Sequence, residues 1–255
     1  MTDDDIRLAE RLADAAGAAI RPFFRARFER ETKADASPVT EADRAAEAAM
    51  RAIINAERPG DGIIGEEYGR ERDDAERIWV LDPIDGTRSF IAGRPIFGTL
   101  VALIEQDRPV LGIIDQPIAH DRWVGAAGRP TLFNGVAAKT RSCSKLASAH
   151  LATTAPTYFG AQEKSRFDAV SAAAGDTLWG GDCHNYGLVA SGHLDVVIEA
   201  GLKIYDFAAL VPVVEGAGGR MTDWQGRPLG RASAGQVIAA GDARVIDEII
   251  GMMGA

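Results

Sequence analysis

The stretch Trp79-Val80-Leu81-Asp82-Pro83-Ile84-Asp85-Gly86-Thr87 limits the possible folds more than any other part of the chain. An apolar strand runs into two aspartates three residues apart, with Pro between them and Gly-Thr behind. Like charges a few ångströms apart repel unless a cation neutralises them. The pattern therefore predicts a metal held at a strand's end, with the Gly86 and Thr87 amides left for a phosphate. The plain alternative is a turn, because Asp-Pro-x-Asp-Gly is good turn chemistry.

Two further segments favour the metal. Gly62-Ile63-Ile64-Gly65-Glu66-Glu67 is a short apolar strand that also ends in acids, and Asp206 falls where a helix should begin after Lys203-Ile204-Tyr205. Three segments thus each bring a carboxylate to the end of an element. Hard cations such as Mg²⁺ take oxygen ligands and keep waters that a phosphate can replace. No Cys/His cluster has zinc spacing. Two metals in such a cage could activate a water and stabilise a leaving oxygen. This points to metal-assisted phosphoryl chemistry on a small phosphorylated metabolite.

Composition excludes other classes. The 255 residues carry 37 acids against 28 bases, net −9, with no basic run, which argues against a nucleic-acid groove. No apolar run approaches a membrane span. The two cysteines, Cys143 and Cys183, give no disulfide framework, which fits a reducing cytoplasm.

Periodicity predicts alternating elements without linkers or repeats. Helices are expected over Asp5–Glu29 (with Pro22 a possible kink), Thr40–Glu57, Ala161–Ala174, Cys183–Ser191, Asp206–Glu215 (despite Pro212) and Ala243–Met253. Thr40 and Asp43 form a capping-box-like start. Strands are expected near Ile63 and Trp79, over Phe97–Glu105 and Pro109–Asp115 as a hairpin, and over Trp123–Ala126, Leu151–Thr154, Thr177–Trp179, Leu194–Glu199 and Gly235–Ala240. Such alternation implies an α/β or α+β fold with sheets between helices.

The order GEE, DPIDGT, then D-x-A-A followed by Glu215-Gly216-Ala217-Gly218-Gly219 resembles the inositol monophosphatase superfamily of Mg²⁺-dependent phosphatases, over nearly the whole chain. The connecting sequence DGTRSFIAGRPIFGTLVAL, VLGIIDQPI and GGDCHNYGLVASGHLDVVIEAGLKIYDFAALVPVVEGAGG is most similar to its histidinol-phosphatase branch. Tyr205 stands where inositol-type members usually carry Trp, which mildly favours that branch. The resemblance implies a layered αβαβα sandwich and a homodimer. It also implies a single phosphatase unit over 1–255, with most ligands in 1–145 and with Asp206 and substrate contacts in 146–255.

For the site, the resemblance implies two or three Mg²⁺ held by Glu66, Asp82, Asp85, Asp206 and the Ile84 carbonyl, with Glu67 nearby or acting through water. Water would attack phosphorus directly, with no phosphoenzyme. Thr87 and Glu66 would help to activate it, Asp43 would hydrogen-bond to the Thr87 hydroxyl or to that water, and Lys33 would position metal or phosphate from a loop. Gly86 and Thr87 would cradle the phosphate where a short helix begins near Ser89. Asp85, Arg88, Asp182, Asn185, Glu199 and Asp206 are the candidate substrate contacts, with His184 beside them. Glu199 would face an ammonium group on the alcohol. The other substrates considered are inositol monophosphate and 3′-phosphoadenosine 5′-phosphate. A non-catalytic interaction protein on the same fold is the reading from another class.

Overall fold

The computed structural model describes residues 1–26, 30–32 and 38–253. Its elements run α1 (Asp3–Ile20), β1 (Arg30–Thr32), β2 (Pro38–Thr40), α2 (Glu41–Glu57), β3 (Gly62–Gly65), β4 (Gly69–Glu71), β5 (Arg77–Asp85), α3 (Thr87–Ile91), β6 (Gly98–Glu105), β7 (Arg108–Gln116) and β8 (Asp121–Ala126). They continue with β9 (Leu132–Phe133), β10 (Val136–Ala137), β11 (His150–Thr153), α4 (Ala161–Ala173), β12 (Asp176–Trp179), α5 (His184–Ala190) and β13 (Val196–Glu199). Last come α6 (Ile204–Phe207), α7 (Leu210–Gly216), β14 (Arg220–Thr222), β15 (Val237–Ala240) and α8 (Ala243–Met253). Lys33 lies outside the described residues.

One sheet has eight strands in the order β10-β9-β8-β7-β6-β5-β3-β4, antiparallel except where β3 runs parallel to β5. The second has five, in the order β12-β11-β13-β15-β14, with β12, β11 and β13 parallel. Strand alternation sorts the side chains between layers. On β5, Trp79 and Leu81 pack with Leu8, Leu12 and Met50 of α1 and α2. Ile78 and Val80 face the other way, into a core shared with Tyr186 and Val189 of α5, Val213 of α7 and Val197 of the second sheet. Leu151, Val196 and Ile238 point out of that sheet onto Phe167 of α4 and Ile246 of α8. The layers therefore run α1/α2, eight strands, α5/α7, five strands, α4/α8, which is the αβαβα sandwich.

Two of the expected helices are shorter, and proline explains both. α1 stops at Ile20, and a 3₁₀ turn over Arg21–Phe23 follows with Pro22 inside it. Pro22 has no N–H to offer the Ala18 carbonyl, so the α-helical ladder ends there. The expected helix over Asp206–Glu215 is instead α6 and α7, separated at Ala208 and Ala209. Pro212 likewise cannot bond the Ala208 carbonyl. The short strands β4, β9, β10 and β14 carry too few residues to show a period.

The chain brings α7 down onto the first sheet through two glycines. Gly112 and Gly125 pair across β7 and β8. A Cβ on Gly112 would lie 1.9 Å from the Ala209 carbonyl oxygen, and one on Gly125 would lie 2.3 Å from that of Pro212. This bare patch of sheet lets the helix backbone approach closely, and the approach sets where Asp206 ends up.

Candidate active site

A regular strand would send Asp82 and Asp85, three residues apart, to opposite faces. The register with β6 shows how this is avoided. Asp82 pairs with Leu100 but Asp85 pairs with Gly98, so β5 carries one extra residue between them. The bulge includes Pro83, which has no N–H to lose, and its carbonyl accepts the Thr99 hydroxyl at 2.8 Å. Both aspartates consequently reach the same place. Carboxylate oxygens of Asp82, Asp85 and Asp206 all lie within 4.8 Å of one another.

Glu66 arrives from β3. Its N–H donates to the Leu81 carbonyl at 3.2 Å, beside Asp82. The turn that carries it rests on Glu47, a fully buried carboxylate on α2. Glu47 accepts the Glu67 N–H at 2.7 Å and the Tyr68 N–H at 3.2 Å, and pairs with Arg51 at 2.7 Å. A Cβ on Gly65 would sit 1.9 Å from a Glu47 oxygen, so any larger residue there would displace the Glu47 carboxylate.

The acids bear the cost of their crowding. Burial pushes the Asp82 carboxyl well above its ordinary range, and Glu66, Asp85 and Asp206 push it further. Asp85 is raised by burial and by Asp182 and Asp206, against the relief of the Cys183 N–H at 2.6 Å. Asp206 is raised to about 7, chiefly by burial, although it accepts the Lys203 N–H at 2.5 Å. One buried oxygen of Asp82, Oδ1, has no hydrogen-bond partner among the described residues. Buried polar atoms are rarely left so. An unpartnered oxygen among three converging carboxylates suits a hard divalent cation, so the residues fit Mg²⁺.

Asp85 and Asp206 border a cavity of about 420 Å³ whose walls also include Glu66, Gly86, Thr87, Arg88, Asp182 and Glu199, while Asp82 is buried outside that lining. Asp182, in a left-handed conformation (φ 46°), accepts the Ser89 hydroxyl at 2.6 Å. Gly86 (φ 82°) precedes α3, which starts at Thr87, two residues before the expected Ser89. The Thr87 hydroxyl donates to the Ile84 carbonyl at 3.1 Å, so its proton is directed there rather than to Asp43. Asp43 is buried in the first turn of α2. Glu67 does not line the cavity, and neither do Asn185 and His184. The Asn185 amide instead closes its own turn by donating to the Gly180 carbonyl at 2.9 Å, and the His184 ring meets Trp123 edge-on.

Glu199 ends β13 with its carboxylate buried. Oε1 accepts the Thr154 N–H at 3.0 Å and the Thr154 hydroxyl, and Oε2 accepts the Tyr186 hydroxyl at 2.8 Å. Burial raises its carboxyl, and those hydrogen bonds oppose the rise. Thr154, Tyr158, Tyr186, Lys203 and Tyr205 also line the cavity. Of these only Tyr205 stood out in the sequence, as the residue before Asp206; the others are ordinary residues of a strand end, turn or helix.

An αβαβα sandwich with such a carboxylate cluster at the end of a bulged strand suits metal-assisted phosphoryl chemistry. Comparison with known proteins agrees. The model of the Inositol monophosphatase family matches residues 2–251. The chain is 50% identical over 243 residues to the bifunctional phosphatase IMPL2, chloroplastic, of Arabidopsis thaliana, covering 92% of this chain and 70% of that one. It is 37% identical to a histidinol-phosphatase of Mycobacterium tuberculosis, covering 89% and 90%. Among solved structures, an inositol monophosphatase from Zymomonas mobilis superposes with a TM-score of 0.92 at 60% identity, covering 99% and 98%. This chain belongs to the inositol monophosphatase family, whose members are metal-dependent, typically with Mg²⁺, and act on small phosphorylated substrates. It is therefore a phosphoric monoester hydrolase. Among the described residues, no helix is long and apolar enough to cross a membrane.

Proposed function

We propose that this protein hydrolyses L-histidinol phosphate to L-histidinol and phosphate. The observation that carries the reading is Glu199, a buried carboxylate on the wall of the cavity that also holds Asp85 and Asp206. A phosphate ester seated at the aspartates would extend its alcohol along this wall. A buried acid with no lysine or arginine among its hydrogen-bond donors favours an ammonium-bearing alcohol over a neutral polyol, which would leave the charge uncompensated. The relatives named histidinol-phosphatase support the same substrate.

Asp82, Asp85, Asp206 and Glu66 would hold Mg²⁺, with the Ile84 carbonyl as a further oxygen, and the bound cation supplies Lewis acidity and a water of lowered pKa. Around it the chain's own groups position the ester. Gly86 and Thr87 border the phosphate's place, and the Thr87 hydroxyl anchors the Ile84 carbonyl. Asp43 is given a supporting role toward the water, and Lys33, outside the described residues, is given one toward the phosphate on the family resemblance alone. Arg88 and Asp182 flank the alcohol, and Arg88 is held over the Tyr158 ring at 5.6 Å. Glu67 and Asn185 support the turns around the site. No side chain of this set needs to become a covalent nucleophile. Cytoplasmic location and a homodimer belong to the same proposal. The two free cysteines support the first, and half-exposed Trp179 on edge strand β12 supports the second.

A broader substrate range is favoured by one specific observation, the 60% identity to a protein named an inositol monophosphatase. Phosphate release with Mg²⁺ from L-histidinol phosphate, inositol 1-phosphate and 3′-phosphoadenosine 5′-phosphate decides between them. A kcat/KM advantage of about a hundredfold or more for histidinol phosphate is expected. Equal rates on all three would refute the dedicated reading.

A further inference from the structure

Resting on the assignment of Glu199 as the group that faces an ammonium, we propose that Tyr186 and Thr154 are positioning residues which hold the Glu199 carboxylate in place and so determine the preference for ammonium-bearing alcohols. The geometry is specific. A carboxylate has about four acceptor sites. Three are taken: two by the amide and hydroxyl of Thr154 and one by the hydroxyl of Tyr186, which reaches Oε2 at 2.8 Å. That leaves about one for a donor in the cavity.

The three donors come from rigid places. Thr154 directly follows β11, and Tyr186 lies in the first turn of α5, buried in the core between the two sheets. The main chain at Glu199 is pinned as well, since the Trp224 indole N–H donates to the Glu199 carbonyl at 3.2 Å. The carboxylate therefore has little freedom to turn away from the cavity. Among the described residues all of its donors are neutral, and neither Lys203 nor Arg88 on the same cavity wall forms an ion pair with it, so none cancels its charge. A cation from the substrate is the missing partner, and hydrogen bonds to a charged group are among the stronger ones.

A merely structural role would lower stability or affect every substrate alike. A positioning role shows up in discrimination. The test compares kcat and KM, with Mg²⁺ present, for three esters: L-histidinol phosphate, leucinol phosphate (the same ammonium without the imidazole) and glycerol 2-phosphate (a neutral alcohol). Wild type should favour both amino-alcohol esters over glycerol 2-phosphate. Tyr186→Phe keeps the ring and removes only the hydroxyl, and it should reduce that preference about tenfold or more, the loss lying in KM for the ammonium esters. Thr154→Val should act in the same direction. In a Glu199→Gln background neither substitution should change the ratio further.

An unchanged preference in Tyr186→Phe and Thr154→Val would overturn the inference. So would a parallel fall on all three esters, or a wild type that does not favour ammonium esters. Equal wild-type use of histidinol and leucinol phosphates would refute histidinol phosphate as the dedicated substrate while leaving this inference standing.

Discussion

Replacing Asp206 by Asn should stabilise the metal-free protein while abolishing turnover. The Asp206 carboxyl is raised to about 7 in the folded protein, against 3.8 when free. At 1.36 kcal/mol per tenfold change in proton affinity, the ionised form costs the fold about 4 kcal/mol. The sign follows from proton binding. Between these two pKa values the folded state keeps a proton that the unfolded state has released. Stability is therefore lost as pH rises from about 4 to about 7, and the full penalty stands above that. Partial access of water from the cavity reduces it to about 2–4 kcal/mol. Asn has nearly the same shape, can still accept the Lys203 N–H, and carries no charge. For a chain of this size the gain corresponds to about 5–15 °C in Tm. The assay is thermal unfolding in EDTA at pH 7.5 and pH 5, where the gap between variant and wild type should shrink to well under half. Adding Mg²⁺ at pH 7.5 should raise the wild type more than the variant. A variant no more stable than wild type at pH 7.5, or a gap independent of pH, would refute the electrostatic account of the cluster.

Three other substitutions test the construction of the site. Asp85→Asn should cut phosphate release by about 10³-fold or more with an unchanged circular dichroism spectrum; near-normal turnover would remove Asp85 from the ligand set. Gly65→Ala places a methyl against the Glu47 carboxylate, at 1.9 Å before any adjustment. It should cost about 1–3 kcal/mol in urea unfolding and lower kcat by displacing Glu66, and a neutral effect on both would show that Glu47 does not fix this turn. Gly112→Ala meets the Ala209 backbone just as closely. It should weaken Mg²⁺ binding, measured by calorimetry, because lifting α7 from the sheet withdraws Asp206 from Asp82 and Asp85.

Element type was largely legible because most elements here are long enough to display a period. β5, β6 and β7 read as strands, and α2, α4 and α8 read as helices within a residue or two. The misses have local causes. Pro22 and Pro212 were visible as possible interruptions, but whether a proline kinks a helix or ends it depends on what neighbouring layers offer the freed carbonyl. The split at Ala208–Ala209 also depends on Gly112 and Gly125, about a hundred residues earlier, which only the sheet register sets side by side. β4, β9, β10 and β14 are held by pairing to strands already in place, and two or three residues carry no signal of their own.

The acids of the candidate site were legible for a different reason. Charge at the end of an apolar strand is costly enough to stand out in one dimension, so Glu66, Asp82 and Asp85 announce themselves. Even so, the spacing of Asp82 and Asp85 fits convergence only because of a bulge, and the Pro83 that accommodates it suits the alternative turn reading equally well. The supporting residues were not legible. Glu47 resembles an exposed member of a helical Glu-Arg pair, yet it is fully buried and holds two amides of the turn beyond Glu66. Tyr186 and Thr154 resemble core and strand-end residues. Their donation to Glu199 joins positions 45 and 13 residues apart, a proximity that only the folded chain sets. Ligand acids are recognisable by the penalty they incur. The groups that offset it are ordinary residues whose contribution appears only once the chain is folded around the acid.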